Sequence, residues 1–375
     1  MVSLIHLANF NSTNIGNGAL ALGLERVVAE DFGAEISWHR EAWDDYTFDK
    51  KSFDEQFVDL VNAHDGLIVG GAVAINGRHY LRNAGMRVDL PLELWHTIRR
   101  PVAFYGISHR HWPGQPFHNL DQLQSVLSHL LDRDDVLFSV RNDGTKGWLE
   151  GLLGWSSERI LEVPDPAMYV PATVRDYPEI IEGRPNVIIG LNGEDSEHRF
   201  AGAGARARIV SAIAGAMERI ATEFDANLIL VPHYLDDYGM IAEFYAHMSP
   251  QIAHQSTIST GLARVKDTET FYGLYRRADL AISMRVHSMS PAIGLGVPTL
   301  AVVTQDRIWN FLRDAALDDL MLDGFASDLE DRLYLAAAHA LEKPSLYKNR
   351  FAAAMREMRE RSRLFHARLA DLFRN

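Results

Sequence analysis

Arg285 and His287 lie two residues apart in the stretch ADLAISMRVHSMSPAIGLGVPTLAVVT (residues 278–304). A guanidinium there can hold a carboxylate or phosphate bidentately, and an imidazole beside it can exchange a proton near neutral pH. Residues 279–283 alternate as a strand does, and 288–294 can form a helix. Gly296-Val297-Pro298 turns the chain into an apolar strand at 299–303. Strand, polar elbow, helix and strand make a βαβ unit, whose ligands bind at the carboxyl ends of the strands. Free N–H groups at the helix start favour an anion at that place. An arginine paired to a neighbouring carboxylate and a histidine satisfied in the core are the plainer readings.

Similar elbows recur at other predicted strand ends. Asn14, Gly16 and Asn17 sit in the loop 10–18 after the first strand, where Asn is also an ordinary turn former and helix cap. Gly70 and Gly71 close the third strand, either for close approach of a ligand or for a tight turn. Ser108 and His109 follow the fourth strand, and Arg141 and Asp143 the fifth. Asn192 and His233 follow two strands of the second half. Any one of these is weak evidence, but together they point several polar groups from one edge. Residues 72–90, with Arg78, His79 and Arg82, read as a mobile loop. No HExxH occurs, and His109 and His111 lack an obvious carboxylate partner, so no metal is expected. Arg350, Arg356, Arg359, Arg361 and Arg363 read as a solvated helix face or a contact with an acidic neighbour.

These residues need a frame, and the chain supplies one twice. Strands are expected at 4–8, 35–38, 66–69, 101–106, 136–140 and 159–163, with helices at 19–30, 53–61 and 120–131 and one that follows the elbow 141–145 and runs through 153. After a proline-bearing stretch the rhythm restarts, with strands at 186–191, 227–231, 279–283 and 299–303. Helices are expected at 203–224, 268–277, 307–315, 329–341 and 346–373. The fold class is therefore α/β, with two Rossmann-like doubly wound domains facing a cleft. The expected division is an N-terminal domain 1–168, a linker 169–185, a C-terminal domain 186–345, and a bracing helix 346–375 packed back on the first domain.

The 375 residues are enough for two ordinary cores, and 47% apolar with 23% charged residues is the balance of a globular protein. A net charge of −13 argues against a nucleic-acid partner. There is no cysteine, which removes thiolate chemistry, disulfides and Cys-based metal sites. Residues 1–9 make a better first strand than a signal peptide, and no apolar run approaches 18 residues, so a cytoplasmic location is expected.

The order of the motifs resembles the polysaccharide pyruvyl transferase family, from about residue 14 to 315. The segments concerned are NIGNGALALGLERV, HDGLIVGGAVAIN, RPVAFYGIS, VRNDGTKGWLEGLLG with EVPDPAMYV, and DTETFYGLYRRADLAISMRVHSMSPAIGLGVPTLAVV. The last is similar to the family's R-x-H motif before a G-x-P turn. Asn17 and Asn142 stand where the family usually has Asp, and Ala72 where it has a third glycine. Arg307 replaces the lysine of a Y-D-P-K-like segment. The resemblance implies a GT-B-like fold and transfer of the pyruvyl group of phosphoenolpyruvate to sugar hydroxyls as a ketal, with no metal or other cofactor. It implies that Arg285 and Arg141 bind the donor and that His287 is the acid/base or a phosphate ligand. Asn17, Gly70 and Gly71 would line the acceptor side, and Ser288 and Arg307 would complete the donor side. The partners implied are phosphoenolpyruvate and a glycan or glycan precursor, with room for a homo-oligomer and for peripheral membrane attachment through a lipid-linked acceptor. Two readings stay open beside it: a GT-B glycosyltransferase using a nucleotide sugar, and a non-catalytic sugar-binding relative.

Overall fold

The computed structural model describes residues 1–77, 81–200, 202, 204–259 and 264–374. Two compact units emerge: Met1–Ser12 with Leu20–Pro166 and Met358–Asn375, and Thr13–Ala19 with Ala167–Glu357. The second unit thus takes in a short piece of the first elbow. The proline-bearing stretch before Asn186 has neither helix nor strand beyond Tyr169. It is nonetheless tied to the second unit, because the Tyr177 hydroxyl donates to the Thr270 carbonyl at 2.6 Å.

The first unit is built on β1 (Val2–Ala8), β2 (Ile36–Ala42), β3 (Gly66–Gly70), β4 (Val73–Asn76), β5 (Val102–Arg110), β6 (Val136–Arg141) and β7 (Ile160–Val163). Their order is β2-β1-β3-β5-β6-β7, with β4 paired to β5, and every pair is parallel. Central strands such as β3 and β6 are buried along their whole length, as helices on both faces of a parallel sheet require. Trp95, Phe104, Phe138 and Leu127 fill one side. Each such side chain contributes about 1.5–3 kcal/mol by leaving water.

The second unit repeats the plan with β8 (Asn186–Gly190), β9 (Asn227–Leu230), β10 (Thr257–Ile258), β11 (Leu280–Ser283), β12 (Thr299–Val303) and β13 (Met321–Asp323). The order is β10-β9-β8-β11-β12-β13, again all parallel. Strands β10 and β13, two and three residues long, were not expected from the sequence. Nor were the helices Asp237–Ala246 and Pro250–Gln255.

The described part of 72–90, residues 72–77 and 81–90, holds one strand and is otherwise irregular. Strand β4 pairs with β5, and Ala84, Met86, Val88 and Leu90 are wholly buried. Arg87 donates to the Val73 carbonyl and the Thr47 hydroxyl and stacks on Trp43 at 4.8 Å. Burial pushes the Arg87 guanidinium down to about 10. Arg78 and His79 lie outside the described residues.

The long helix Pro344–Arg374 enters the first unit at Met358. There Arg359 pairs with Asp31 and Glu30, and His366 bonds Asp31 and the Tyr105 hydroxyl. Arg350 pairs with Asp319 and Arg361 with Glu162, so this face meets acidic neighbours.

In the same first unit, Glu25 accepts from His6 Nδ1 at 3.0 Å and from Arg40 Nε at 2.9 Å. Burial opposes its ionisation, but the bonds and charges of His6 and Arg40 win and hold it at about 2. A carboxylate held low adds stability that is complete above its unfolded value near 4.5 and is lost as pH falls towards 2. Urea midpoints measured from pH 5 to pH 2 should therefore fall less steeply in Glu25→Gln. Parallel slopes in the two proteins would show that the triad does not contribute to acid lability.

Among the described residues no helix is long and apolar enough to cross a membrane.

Candidate active site

In the second unit the polar residues gather at the carboxyl ends of β8, β9, β11 and β12. Arg285 is the extended residue between β11 and the helix Val286–Gly294. The Ser283 hydroxyl accepts its N–H at 3.1 Å and donates to its carbonyl at 2.8 Å, which fixes the elbow. The guanidinium is buried. Its Nη2 donates to Asp237 Oδ1 at 2.7 Å and Asn192 Oδ1 at 3.0 Å, and its Nη1 to Glu194 Oε2 at 3.1 Å. Burial alone would lower its pKa, yet the Asp237 and Glu194 carboxylates raise it, so it stays charged. Its Nε has no hydrogen-bond partner although buried.

Asp237 is the hub of this arrangement. Besides Arg285 it accepts the backbone N–H groups of Gly193, His233 and Tyr234 at 2.9–3.0 Å, from the ends of β8 and β9. His233 is wholly buried. Its Nε2 meets the Tyr275 hydroxyl at 2.7 Å, and that hydroxyl meets Ser288 Oγ at 2.9 Å. Burial first, then the Arg285 charge, hold the His233 pKa well below the usual histidine range, so it is neutral at pH 7. Its Nδ1 has no partner.

His287 occupies the first turn of the following helix, partly exposed, and its carbonyl accepts the Tyr272 hydroxyl at 2.6 Å. Its ring packs against the first elbow. That elbow is already helical, because the helix runs Ile15–Asp31 and not from residue 19. Asn14 Oδ1 accepts the Gly16 N–H at 3.1 Å as a cap, and Asn17 lies in the first turn. A Cβ on Gly16 would stand 2.7 Å from His287 Cβ and 2.8 Å from its Nδ1, so only glycine lets the two turns meet.

Arg199 and Arg307 adjoin this group. Arg199 is buried, donating to the Glu194 carbonyl at 3.1 Å and to the Thr304 hydroxyl at 3.4 Å. Arg307 is the second residue of the helix Asp306–Asp314 and donates to the Gln305 side chain at 3.5 Å. Burial, followed by the like charges of Arg285 and Arg307, pushes Arg199 down to about 9. Sequence reasoning missed Arg199, which ends a four-residue helix with no motif around it. It also gave no role to Glu194 or Asp237.

A second cluster stands in the first unit. Arg141 and Asp143 are buried, and Arg141 Nε and Nη2 donate to Asp143 Oδ2 at 2.9 and 2.8 Å. Ser108 donates to the same oxygen at 2.7 Å, and Thr145 to the other at 2.5 Å. His109 Nδ1 bonds the Thr145 hydroxyl at 2.8 Å, while its ring stacks on Trp148 at 4.1 Å. Burial lowers the Arg141 pKa, but Asp143 and Asp165 raise it further, so this guanidinium too remains charged. Asn142 accepts the Asp165 N–H at 2.9 Å, so the neighbouring Asp143 supplies the carboxylate for Arg141. Gly71, at positive φ, turns the chain after β3, and its carbonyl accepts Arg141 Nη1 at 3.4 Å. Gly70 makes room for His6, whose Nε2 would stand 2.2 Å from a Cβ there. It serves packing at that position.

The predicted residues thus fall into two sets. Asn14, Gly16, Asn192, His233, Arg285, His287, Ser288 and Arg307 belong to the second unit, and Gly71, Ser108, His109, Arg141 and Asp143 form one network in the first. A positively charged group held by strand ends, with a histidine on the adjoining helix turn, can bind a small anion and exchange a proton with it.

Solved structures with the same architecture include the trehalose-6-phosphate synthase OtsA. It is 10% identical, with a TM-score of 0.56 over 99% of this chain and 98% of that one. The UDP-forming α,α-trehalose-phosphate synthase of Burkholderia vietnamiensis is 10% identical, with a TM-score of 0.53 over 99% and 97%. MnaA of S. aureus, solved with UDP, is 11% identical, with a TM-score of 0.51 over 94% and 91%. At such identities the likeness extends to the fold alone, which is GT-B-like. None of the curated proteins matches the chain in sequence. The family model for polysaccharide pyruvyl transferase matches residues 14–306, from the cap of the first helix, across both clusters, to the residue before Arg307. With well over half of its length matched, the chain belongs to the polysaccharide pyruvyl transferase family.

Proposed function

We propose that the protein transfers the pyruvyl group of phosphoenolpyruvate to hydroxyls of a cell-surface sugar or its precursor, in the cytoplasm, forming a ketal. The supporting observation is the grouping of Arg199, Arg285 and Arg307 around Glu194 and the end of β12, where burial and then the like charges of Arg285 and Arg307 push Arg199 down to about 9. The like-charge part of that shift, unlike the burial part, favours an anion. Phosphoenolpyruvate carries two anionic groups, a carboxylate and a phosphate, which suits planar guanidinium donors.

The reaction needs one proton moved to carbon. A sugar oxygen bonds to C2 of the donor while the methylene carbon takes a proton, giving a methyl group. The C2–O bond to phosphate then breaks, its electron pair leaving with the phosphate, and a second sugar oxygen bonds to C2. Of the two hydroxyl protons, one balances that gained by carbon and the other leaves on phosphate. His287 is the proton donor in this reading. His233, neutral and bonded to Tyr275, positions the helix turn that carries it.

A thermal melt tests the donor. Millimolar phosphoenolpyruvate should raise Tm by about 2 °C or more, as saturating ligand contributes about 2–3 kcal/mol. A UDP-sugar should leave it unchanged. A shift with the UDP-sugar alone would overturn the proposal in favour of glycosyl transfer, and no shift with either would leave no donor site of this kind.

A further inference from the structure

A cavity of about 790 Å³ opens at the carboxyl ends of β12 and β13, beyond the arginine group. Its chemistry is opposite to that of its neighbour. Two aromatic rings line it, Trp309 at 42% and Phe325 at 49% exposure, values high for such large apolar groups. Around them stand the carboxylates of Asp306, Asp318 and Asp323 and the amide of Asn310. One guanidinium, Arg332, is among the lining groups, and it lies 4.0 Å from Asp328. The Arg313 guanidinium stacks on Trp309 at 4.2 Å, which holds the indole in place.

We infer that this cavity binds a saccharide that is uncharged or carries an amine. Exposed aromatic faces suit the C–H surface of a sugar ring, and carboxylates and amides accept and donate to its hydroxyls. Three carboxylates outnumber the guanidinium groups of Arg332 and Arg313 and so disfavour a phosphate or a uronate. The cavity also adjoins the arginine group, since Thr304 lines it and accepts from Arg199, and Gln305 lines it and accepts from Arg307. A donor anion among the arginines and a sugar in the acidic cavity would then share one sheet edge. Only the role of that sugar as acceptor rests on the pyruvyl-transfer reading; the saccharide site itself does not.

The test is a calorimetric titration of the full chain, without phosphoenolpyruvate, against methyl glycosides of glucose, galactose, mannose, glucosamine, N-acetylmannosamine and glucuronic acid. At least one neutral or amino glycoside should bind in the millimolar range, and the glucuronide about tenfold or more weaker. Trp309→Ala, Phe325→Ala and Asp323→Asn should each weaken that binding about tenfold. The side chains are exposed, so the variants should melt with the parent, which circular dichroism checks. Binding of no neutral or amino glycoside, or affinity unchanged in both aromatic variants, overturns the inference. Sugar binding without a phosphoenolpyruvate shift would instead sink only the donor reading.

Discussion

Replacing Arg285 by methionine should destabilise the protein by about 3–5 kcal/mol and abolish the phosphoenolpyruvate shift. The side chain is buried between Asp237, wholly buried, and Glu194, and its removal leaves the Asp237 carboxylate without its cation. That carboxylate retains three backbone donors, which offset part of its charge but cannot neutralise it. Equilibrium unfolding in urea checks the first half of the prediction, and a loss under 1 kcal/mol would show the pair to be weakly coupled. The double variant Arg285→Met, Asp237→Asn should recover part of the loss, because the uncompensated charge goes with its partner. Arg307→Met separates folding from binding. Arg307 lies in the first turn of a helix and is half-buried, so its loss should leave the unfolding free energy within about 0.5 kcal/mol while weakening the donor shift.

The asymmetry between legible and hidden features follows from distance along the chain. Arg285 and His287 stand out because strand, elbow and helix follow one another within a dozen residues, and local patterns report local structure. Their partners do not stand out. Asp237 is 48 residues from Arg285 and Glu194 is 91, and only the parallel order of β9, β8 and β11 brings them together. Sequence placed a polar edge correctly but could not say that the arginine on it is held by two carboxylates.

Within residues 72–90 the strand β4 was hidden although it is local. Ala84, Met86, Val88 and Leu90 are wholly buried in a run of turns and bends. A turn has no hydrophobic period, so nothing local announces that burial. Strand β4 also takes its partner from β5, beyond a further helix, so no hairpin signal announces it. At Arg141 the resemblance pointed to the next position, where Asn142 stands in place of Asp. The structure shows the carboxylate one residue on, with Arg141 folded back onto Asp143.

His287→Gln should reduce kcat about 10²- to 10⁴-fold while leaving the phosphoenolpyruvate melting shift in place. Two other candidates for the proton are excluded by their surroundings. The Arg285 guanidinium is held charged by two carboxylates, and His233 is held neutral by burial and by the Arg285 charge. His287 alone of the three is partly exposed, and its position is fixed by the Tyr272 hydroxyl on its carbonyl and by Gly16 against its ring. Glutamine keeps the polarity and much of the volume at that turn but cannot deliver a proton at neutral pH. The decisive measurement is deuterium incorporation in D₂O. The parent enzyme should place deuterium in the methyl group of the ketal as fast as phosphate is released. In His287→Gln both rates should fall together, because the proton transfer and the attack on C2 belong to one addition. Phosphate release within tenfold of the parent in that variant would assign the proton to another group, and His287 would then be a ligand of the donor phosphate.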